Sequence, residues 1–169
     1  MRAKSSRWLL LASVSTAAAC SVYSFTGGGG LPSHIDTIAI LPFDNQTTQV
    51  TLIQEISQTL TDVVPSRLGL NFADEVSADA ILRGSIRRYQ NTATNYQEDP
   101  TGPIIFQRRV TITISAEIYD TKLERAIWQS GSLSAVGEYL PDTQPEVEGR
   151  QLAIDNLAIA IVDGAQSQW

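Results

Sequence analysis

The sequence predicts an α+β fold in which two amphipathic helices pack on one face of a roughly four-stranded mixed sheet, a two-layer sandwich. Three observations lead there. Thr37 to Phe43 is short and almost wholly apolar, the composition of a buried strand. Ala78 to Arg87 and Val110 to Tyr119 alternate apolar and polar residues, as strands covered on one face do. Two further stretches carry apolar residues at helical spacing, and laying both helices on one face of the sheet is the simplest way to bury every apolar stripe.

The elements follow in order. Thr37-Ile38-Ala39-Ile40-Leu41-Pro42-Phe43 is the first strand, and Asp44-Asn45-Gln46-Thr47-Thr48 supplies turn and capping residues after it. Leu52, Ile53, Ile56, Leu60, Val63 and Val64 then recur up to Pro65, which predicts an amphipathic helix of about four turns. Leu68 to Phe72 reads as a brief strand and Glu75 to Ser77 as a turn. From there Ala80, Leu82, Gly84 and Ile86 share one face of a strand, with Ile81, Arg83, Ser85 and Arg87 on the other. In the next strand Val110, Ile112, Ile114, Ala116 and Ile118 alternate with Thr111, Thr113, Ser115, Glu117 and Tyr119. Between these strands Gln90 to Gln107 is polar, holds Pro100, Gly102 and Pro103, and reads as a hairpin loop far beyond the usual length of about 2–5 residues. Asp120 to Glu124 turns the chain into a last strand, Arg125 to Ala135, and Gly137 to Gly149 is a second polar connection. Ile154, Leu157, Ala158, Ile161, Val162 and Ala165 mark the second helix, with acidic residues towards its start.

Ahead of this domain stands an export signal. Arg2, Lys4 and Arg7 precede Trp8-Leu9-Leu10-Leu11-Ala12, and small residues follow to Ala19, so residues 1–19 are expected to be removed. Ala17-Ala18-Ala19-Cys20 resembles a bacterial lipobox, in which the peptidase cuts before an acylated cysteine. Lipidation of Cys20, the only cysteine, also removes the oddity of a free thiol in an oxidising compartment. Ser21 does not resemble the aspartate that retains lipoproteins in the inner membrane, which favours the periplasmic face of the outer membrane. Residues 20–30 form a lipidated, glycine-rich tether, and 31–169 form one domain.

Without residues 1–19, nine basic residues stand against eighteen acidic ones, so the net charge moves from −6 to −9 and nucleic-acid binding is disfavoured. With His34 the only histidine and Cys20 lipidated, neither a Cys/His nucleophile pair nor a zinc site of the usual ligands can be assembled. Asp44, Asp62, Asp74, Glu75, Asp79, Asp120 and Glu124 fall at turns or helix ends, where capping and solvation account for them. His34 precedes the first strand and reads as a surface residue. No catalytic residue, metal or cofactor is expected beyond the lipid.

Five of the nine remaining basic residues, Arg83, Arg87, Arg88, Arg108 and Arg109, flank the long connection. An arginine fork suits an anionic lipid headgroup or an acidic partner surface. A solvated strand pair balanced by Glu98, Asp99 and Glu117 explains the same residues equally well. Arg87, Arg88, Arg108 and Arg109 are the candidate anion ligands. The polar strand face of Thr111, Thr113 and Ser115, with Arg83, is the candidate partner surface, although threonine is also simply a good strand former.

Five segments together resemble the lipopolysaccharide-assembly lipoprotein family, LptE. They are Leu31 to Thr47, with its Ile38-Ala39-Ile40-Leu41-Pro42-Phe43 strand; Ala78 to Ile86; the Val110-Thr111-Ile112-Thr113 strand; Ile127-Trp128 leading to Gly137-Glu138-Tyr139; and a closing helix that ends at Trp169. Many members begin the mature chain with Cys-Gly-Tyr, whereas this one reads Cys20-Ser21-Val22-Tyr23. The resemblance implies an outer-membrane lipoprotein that sits within the β-barrel translocon LptD, assists its assembly and receives lipopolysaccharide, all without catalysis. The alternative is an envelope lipoprotein serving as a secretion-channel subunit or as an activator of a cell-wall synthase.

Overall fold

The computed structural model describes residues 31–100 and 102–167. The expected signal peptide, Cys20, the glycine tether and Trp169 lie outside the described residues. Strand β1 (Thr37–Ile40) is the apolar run read from the sequence, with Ile38 and Ala39 buried. It runs parallel to β3 (Asn71–Phe72) on one side and to β4 (Ala80–Asp99) on the other. Beyond β4 the sheet continues antiparallel through β5 (Gly102–Asp120) and β6 (Arg125–Tyr139), and β2 (Asp44–Asn45) joins β4 at Ser85 and Ile86. The sheet therefore has six strands rather than about four, in the order β3-β1-β4-β5-β6 with β2 off the path. β2 and β3 are two residues long, too short to carry a periodicity.

Helix α1 (Leu52–Leu68) runs past Pro65, where the sequence reading ended it. A proline removes one hydrogen bond within a helix. Here the Pro65 carbonyl still accepts the backbone N–H of Gly69, which closes the helix in the left-handed conformation at φ +70°. The extra turn confines β3 to Asn71–Phe72. The helix start is organised by a turn and not by a side-chain cap. Asn45 accepts from the Thr47 N–H (2.9 Å) and hydroxyl (2.8 Å) and donates to the Gln49 carbonyl (2.8 Å), while Thr51 at the cap position makes no such bond.

Helix α2 (Glu146–Gln166) opens after Pro145 with Glu146 and Glu148 in its first turn, favourable for the helix dipole. It lies very close to β6. A Cβ on Gly137 would fall 2.0 Å from the Gly149 carbonyl oxygen, so glycine at 137 lets helix and strand backbones meet. The core forms between the helices and the inner face of the sheet. Leu52, Ile56 and Leu60 of α1 and Ile154, Leu157 and Ile161 of α2 pack with Leu82, Ile86, Ile112, Ile114 and Ile118, all fully buried. Among the described residues no helix is long and apolar enough to cross a membrane.

The main departure from the sequence reading is between the long strands. Gln90 to Gln107 is not a hairpin loop: the β4–β5 ladder runs unbroken in direction, with bulges, to Asp99 opposite Gly102. β6 ends at Tyr139, opposite Arg108, so the outer part of β4 and β5 continues as a two-stranded ribbon past the rest of the sheet. Apolar alternation is needed only where one face of a strand is buried, and among the described residues none of the ribbon's side chains beyond Asn91 belongs to the core. β6 itself extends four residues past the expected Ala135, because Gly137 and Tyr139 serve the inner face.

Candidate functional site

The face of the sheet opposite the helices is covered by no described element. Up to Ser85 the odd residues of β4 point to this side. A bulge between Ile86 and Arg88 shifts the alternation, so that Arg88, opposite Thr113, and Gln90, opposite Thr111, take over. The predicted partner residues Arg83, Thr111, Thr113 and Ser115 thus share one surface. Hydroxyl pairs cross its strands, Ser85 to Ser115 at 2.9 Å and Thr113 to Ser134 at 2.8 Å. At one end Arg83 Nε donates to Glu117 (2.6 Å) while its guanidinium sits 4.9 Å from the Tyr119 ring centre. At the other, Arg109 Nε and Nη2 both donate to Glu138 Oε1, at 2.9 and 2.6 Å. A shallow groove of about 660 Å³ lies beside the Arg83–Glu117 pair, lined by Ser85, Ser115, Gln129 and Gly131.

The four predicted anion ligands do not converge. Arg88 and Arg109 are on the outer face, with Arg109 held by Glu138. Arg108 belongs to the helix side, where Nε donates to Asn91 Oδ1 (2.9 Å) and Nη2 to the Asn91 carbonyl (3.2 Å). Arg87 sits at the bulge. Arg87 and Arg88 are exposed, and among the described residues neither has a carboxylate partner.

At the base of the ribbon, on the helix side, is a polar cluster that the sequence reading missed. Asn91 Nδ2 donates to the Tyr139 hydroxyl (2.8 Å), and the Tyr89 hydroxyl donates to the Glu146 carboxylate. Arg150 reaches both helices, donating to Glu55 from Nε (2.8 Å) and Nη2 (3.1 Å) and lying 3.7 Å from Glu146. Burial and then the bond to Glu146 push the Tyr89 phenol up to about 12. The Tyr89 bond, helped by Asn91 and Arg150 and opposed by burial, holds the Glu146 carboxyl below its usual range. Glu55 holds the Arg150 guanidinium firmly protonated. The four-residue spacing of Glu146 and Arg150 was legible. The arrival of Tyr89 beside them was not, because it depends on the bulge at Arg87.

His34 is likewise not the surface residue expected. Its Nε2 lies 2.7 Å from Oδ2 of Asp120, which is completely buried. Asp79 fixes the same end of the sheet, accepting from the Thr37 hydroxyl (2.7 Å) and from the Thr37 and Asp36 N–H groups (3.1 and 3.2 Å). Two of the carboxylates first assigned to turns therefore anchor the segment that leads into β1. Among the described residues no three His, Cys, Asp or Glu side chains are grouped so as to hold a metal ion.

A family model described as LptE, Lipopolysaccharide-assembly, matches residues 35–166, nearly the whole of the described chain. The chain belongs to this family. A search of curated protein sequences finds no match. Among solved structures, a hypothetical protein of Chlamydia trachomatis superposes with a TM-score of 0.57 at 11% identity, covering 79% of this chain and 97% of that one. A PelC dodecamer from Paraburkholderia phytofirmans gives 0.51 at 12%, covering 80% and 90%. Lipoprotein B of Nitrosomonas europaea gives 0.51 at 10%, covering 83% and 88%. At these identities the likeness is one of fold. The LptE match agrees with the lipopolysaccharide-assembly resemblance read from the five segments.

Proposed function

We propose that this lipopolysaccharide-assembly lipoprotein is anchored through Cys20 to the periplasmic side of the outer membrane, fills and helps assemble an LptD-like β-barrel, and takes part in passing lipopolysaccharide to the surface. It works by binding and not by turnover. The observation that carries the reading is the uncovered outer sheet face, a rigid surface of paired hydroxyls and two ion pairs. A partner with a polar lining can exchange hydrogen bonds with these paired groups, while Arg88 on the same face, unpaired among the described residues, is left for an anionic group. Arg83, Thr111, Thr113 and Ser115 would meet the barrel. Arg87 and Arg88, unpaired among the described residues, would be the stronger anion ligands, with Arg108 and Arg109 lending field and held in place by Asn91 and Glu138.

A pull-down of the full-length lipoprotein from its own outer membrane in mild detergent tests this. Equimolar recovery of an LptD-like barrel is expected. Recovery without a barrel, in a self-assembled ring or with a cell-wall synthase, would transfer the assignment to a secretion-channel subunit or a synthase activator.

A further inference from the structure

The residues that wall the outer-face groove form one cross-strand row. Arg83 of β4 stands opposite Glu117 of β5, and Glu117 stands opposite Gln129 of β6. Only part of this row is used within the chain. Arg83 Nε donates to Glu117 Oε1 at 2.6 Å, and the Tyr119 ring, its centre 4.9 Å away, holds the plane of the guanidinium. Among the described residues Nη1 and Nη2 of Arg83, Oε2 of Glu117 and the amide of Gln129 make no hydrogen bond. Beside the row the floor is made of small residues. Ser85 and Ser115 bond to each other at 2.9 Å, which uses one hydroxyl hydrogen and leaves the other. Beyond Ser115 the β6 register skips at Gly131 and Ser132, and a Cβ on Gly131 would meet nothing within 4 Å. The groove of about 660 Å³ is the space these residues leave, and no large apolar side chain lines it.

We propose that this groove seats an uncharged sugar ring and, resting on the function proposed above, that the ring belongs to the lipopolysaccharide in transit. Charge and donor balance select that ligand. Guanidinium and carboxylate cancel, so an anion gains from Arg83 about what it loses to Glu117. A phosphate is better served by Arg88, which has no carboxylate partner among the described residues. An acyl chain finds no apolar wall. A hydroxyl both donates and accepts, so two neighbouring sugar hydroxyls match the row as it stands, one accepting from Arg83 and the other donating to Glu117 Oε2. Gln129 and the remaining serine hydrogen are left for the rest of the ring. One amide or hydroxyl side chain of a protein partner would satisfy the same atoms but fill little of the space, whereas the volume lies within the range of ligand pockets, roughly 300–1,000 Å³. Because the ion pair and the ring already fix Arg83, little side-chain freedom is lost on binding. The exposed arginines and this groove thus divide one ligand, phosphates to the first and neutral sugar to the second.

The test uses the full-length lipoprotein alone in mild detergent, following the amide and side-chain NMR signals of Ser85, Ser115 and Gln129 during titration. The probe is the core oligosaccharide freed from the organism's own lipopolysaccharide and stripped of phosphate, with maltotriose and inorganic phosphate run beside it. Saturable shifts with the oligosaccharide are expected, unchanged between ~50 and ~300 mM salt because no net charge is neutralised. Gly131→Phe, which puts a ring into the empty space, should raise the dissociation constant at least about tenfold with the circular dichroism spectrum unchanged. Glu117→Gln should weaken sugar binding and, by leaving Arg83 without its carboxylate, bring out a salt-sensitive response to phosphate. No saturable response to the oligosaccharide overturns the proposal, as does one that survives in Gly131→Phe or fades with salt. An equal response to maltotriose overturns the assignment to lipopolysaccharide sugar. Since no barrel is present, failure here is distinct from failure of the pull-down: a barrel recovered with a chain that binds no sugar removes the groove and keeps the rest.

Discussion

The His34 imidazole meets the buried carboxylate of Asp120 at 2.7 Å, joining the segment ahead of β1 to the end of β5 across 86 residues of sequence. Asp120 also accepts the backbone N–H groups of Lys122 and Leu123, each at 2.9 Å. Burial raises the Asp120 carboxyl, but the bonds from Leu123, His34 and Lys122 outweigh it and hold the group below its usual value. A depressed carboxyl contributes stability that is complete above its unfolded value of about 3.9 and is lost as pH falls through the folded value. Unfolding midpoints in urea between pH 6 and pH 2 should therefore drop steeply at the acid end. Asp120→Asn should start lower and flatten that drop; an unchanged acid slope in Asp120→Asn would show that this group does not drive it. His34→Ala, by withdrawing one partner from a buried charge, should cost about 1–3 kcal/mol near neutral pH.

Tyr89 makes the opposite prediction at the alkaline end. Its pKa of about 12 in the folded chain lies above the ordinary phenol value of 10. Stability from this group is therefore complete below pH 10 and lost as pH rises from there towards 12. Tyr89→Phe should be less stable at pH 8, since Glu146 and Arg150 lose a partner, and should lose less on going to high pH. Absorbance at the phenolate band should show one fewer late-titrating tyrosine in the variant. An identical alkaline titration would mean that another tyrosine is the perturbed one.

The closeness of α2 and β6 gives a packing prediction. Gly137→Val would drive a side chain into the Gly149 carbonyl and the Ala153 backbone nitrogen, 2.0 and 2.6 Å from the new Cβ. Neither can move without shifting the helix, so a loss of about 2–4 kcal/mol is expected, at or beyond the upper end of ordinary overpacking. Gly131→Ala, where a Cβ meets nothing within 4 Å, should be close to neutral. Thermal melts of the two variants side by side test the contrast.

What could be read from the chain was what the core dictates. The apolar stripes on Leu52, Ile56 and Leu60, on Ile154, Leu157 and Ile161, and on the inner positions of β4 and β5 each answer to burial against one shared core, and burial imposes period on sequence. The ribbon past Arg108 answers to no core and went unread. So did the bulge at Arg87, which turns Arg88 outward and Tyr89 inward where simple alternation would do the reverse. The polar cluster around Glu146 and Arg150 joins four elements distant in sequence, and nothing local marks such a meeting. His34 looked superficial because its partner Asp120 is recognisable as a buried charge only once the turn after β5 has folded.

The division of the arginines yields the prediction that bears most directly on function. Arg109 is neutralised by Glu138 and Arg108 is tied to Asn91, whereas Arg87 and Arg88 stand exposed beside them. An anionic headgroup approaching this region gains most from a guanidinium that need not first release a carboxylate. Arg87→Glu with Arg88→Glu should therefore weaken binding of purified lipopolysaccharide by at least about tenfold at low salt, with the difference shrinking as ionic strength rises. Arg109→Gln alone should change it much less, because it removes one charge that is already engaged by Glu138, whereas the double variant reverses two that are exposed. Equal losses in the two variants would show that headgroups compete successfully for the Glu138-bound guanidinium. No loss in either would remove the arginines from the binding surface and leave the hydroxyl-lined outer face as the remaining candidate.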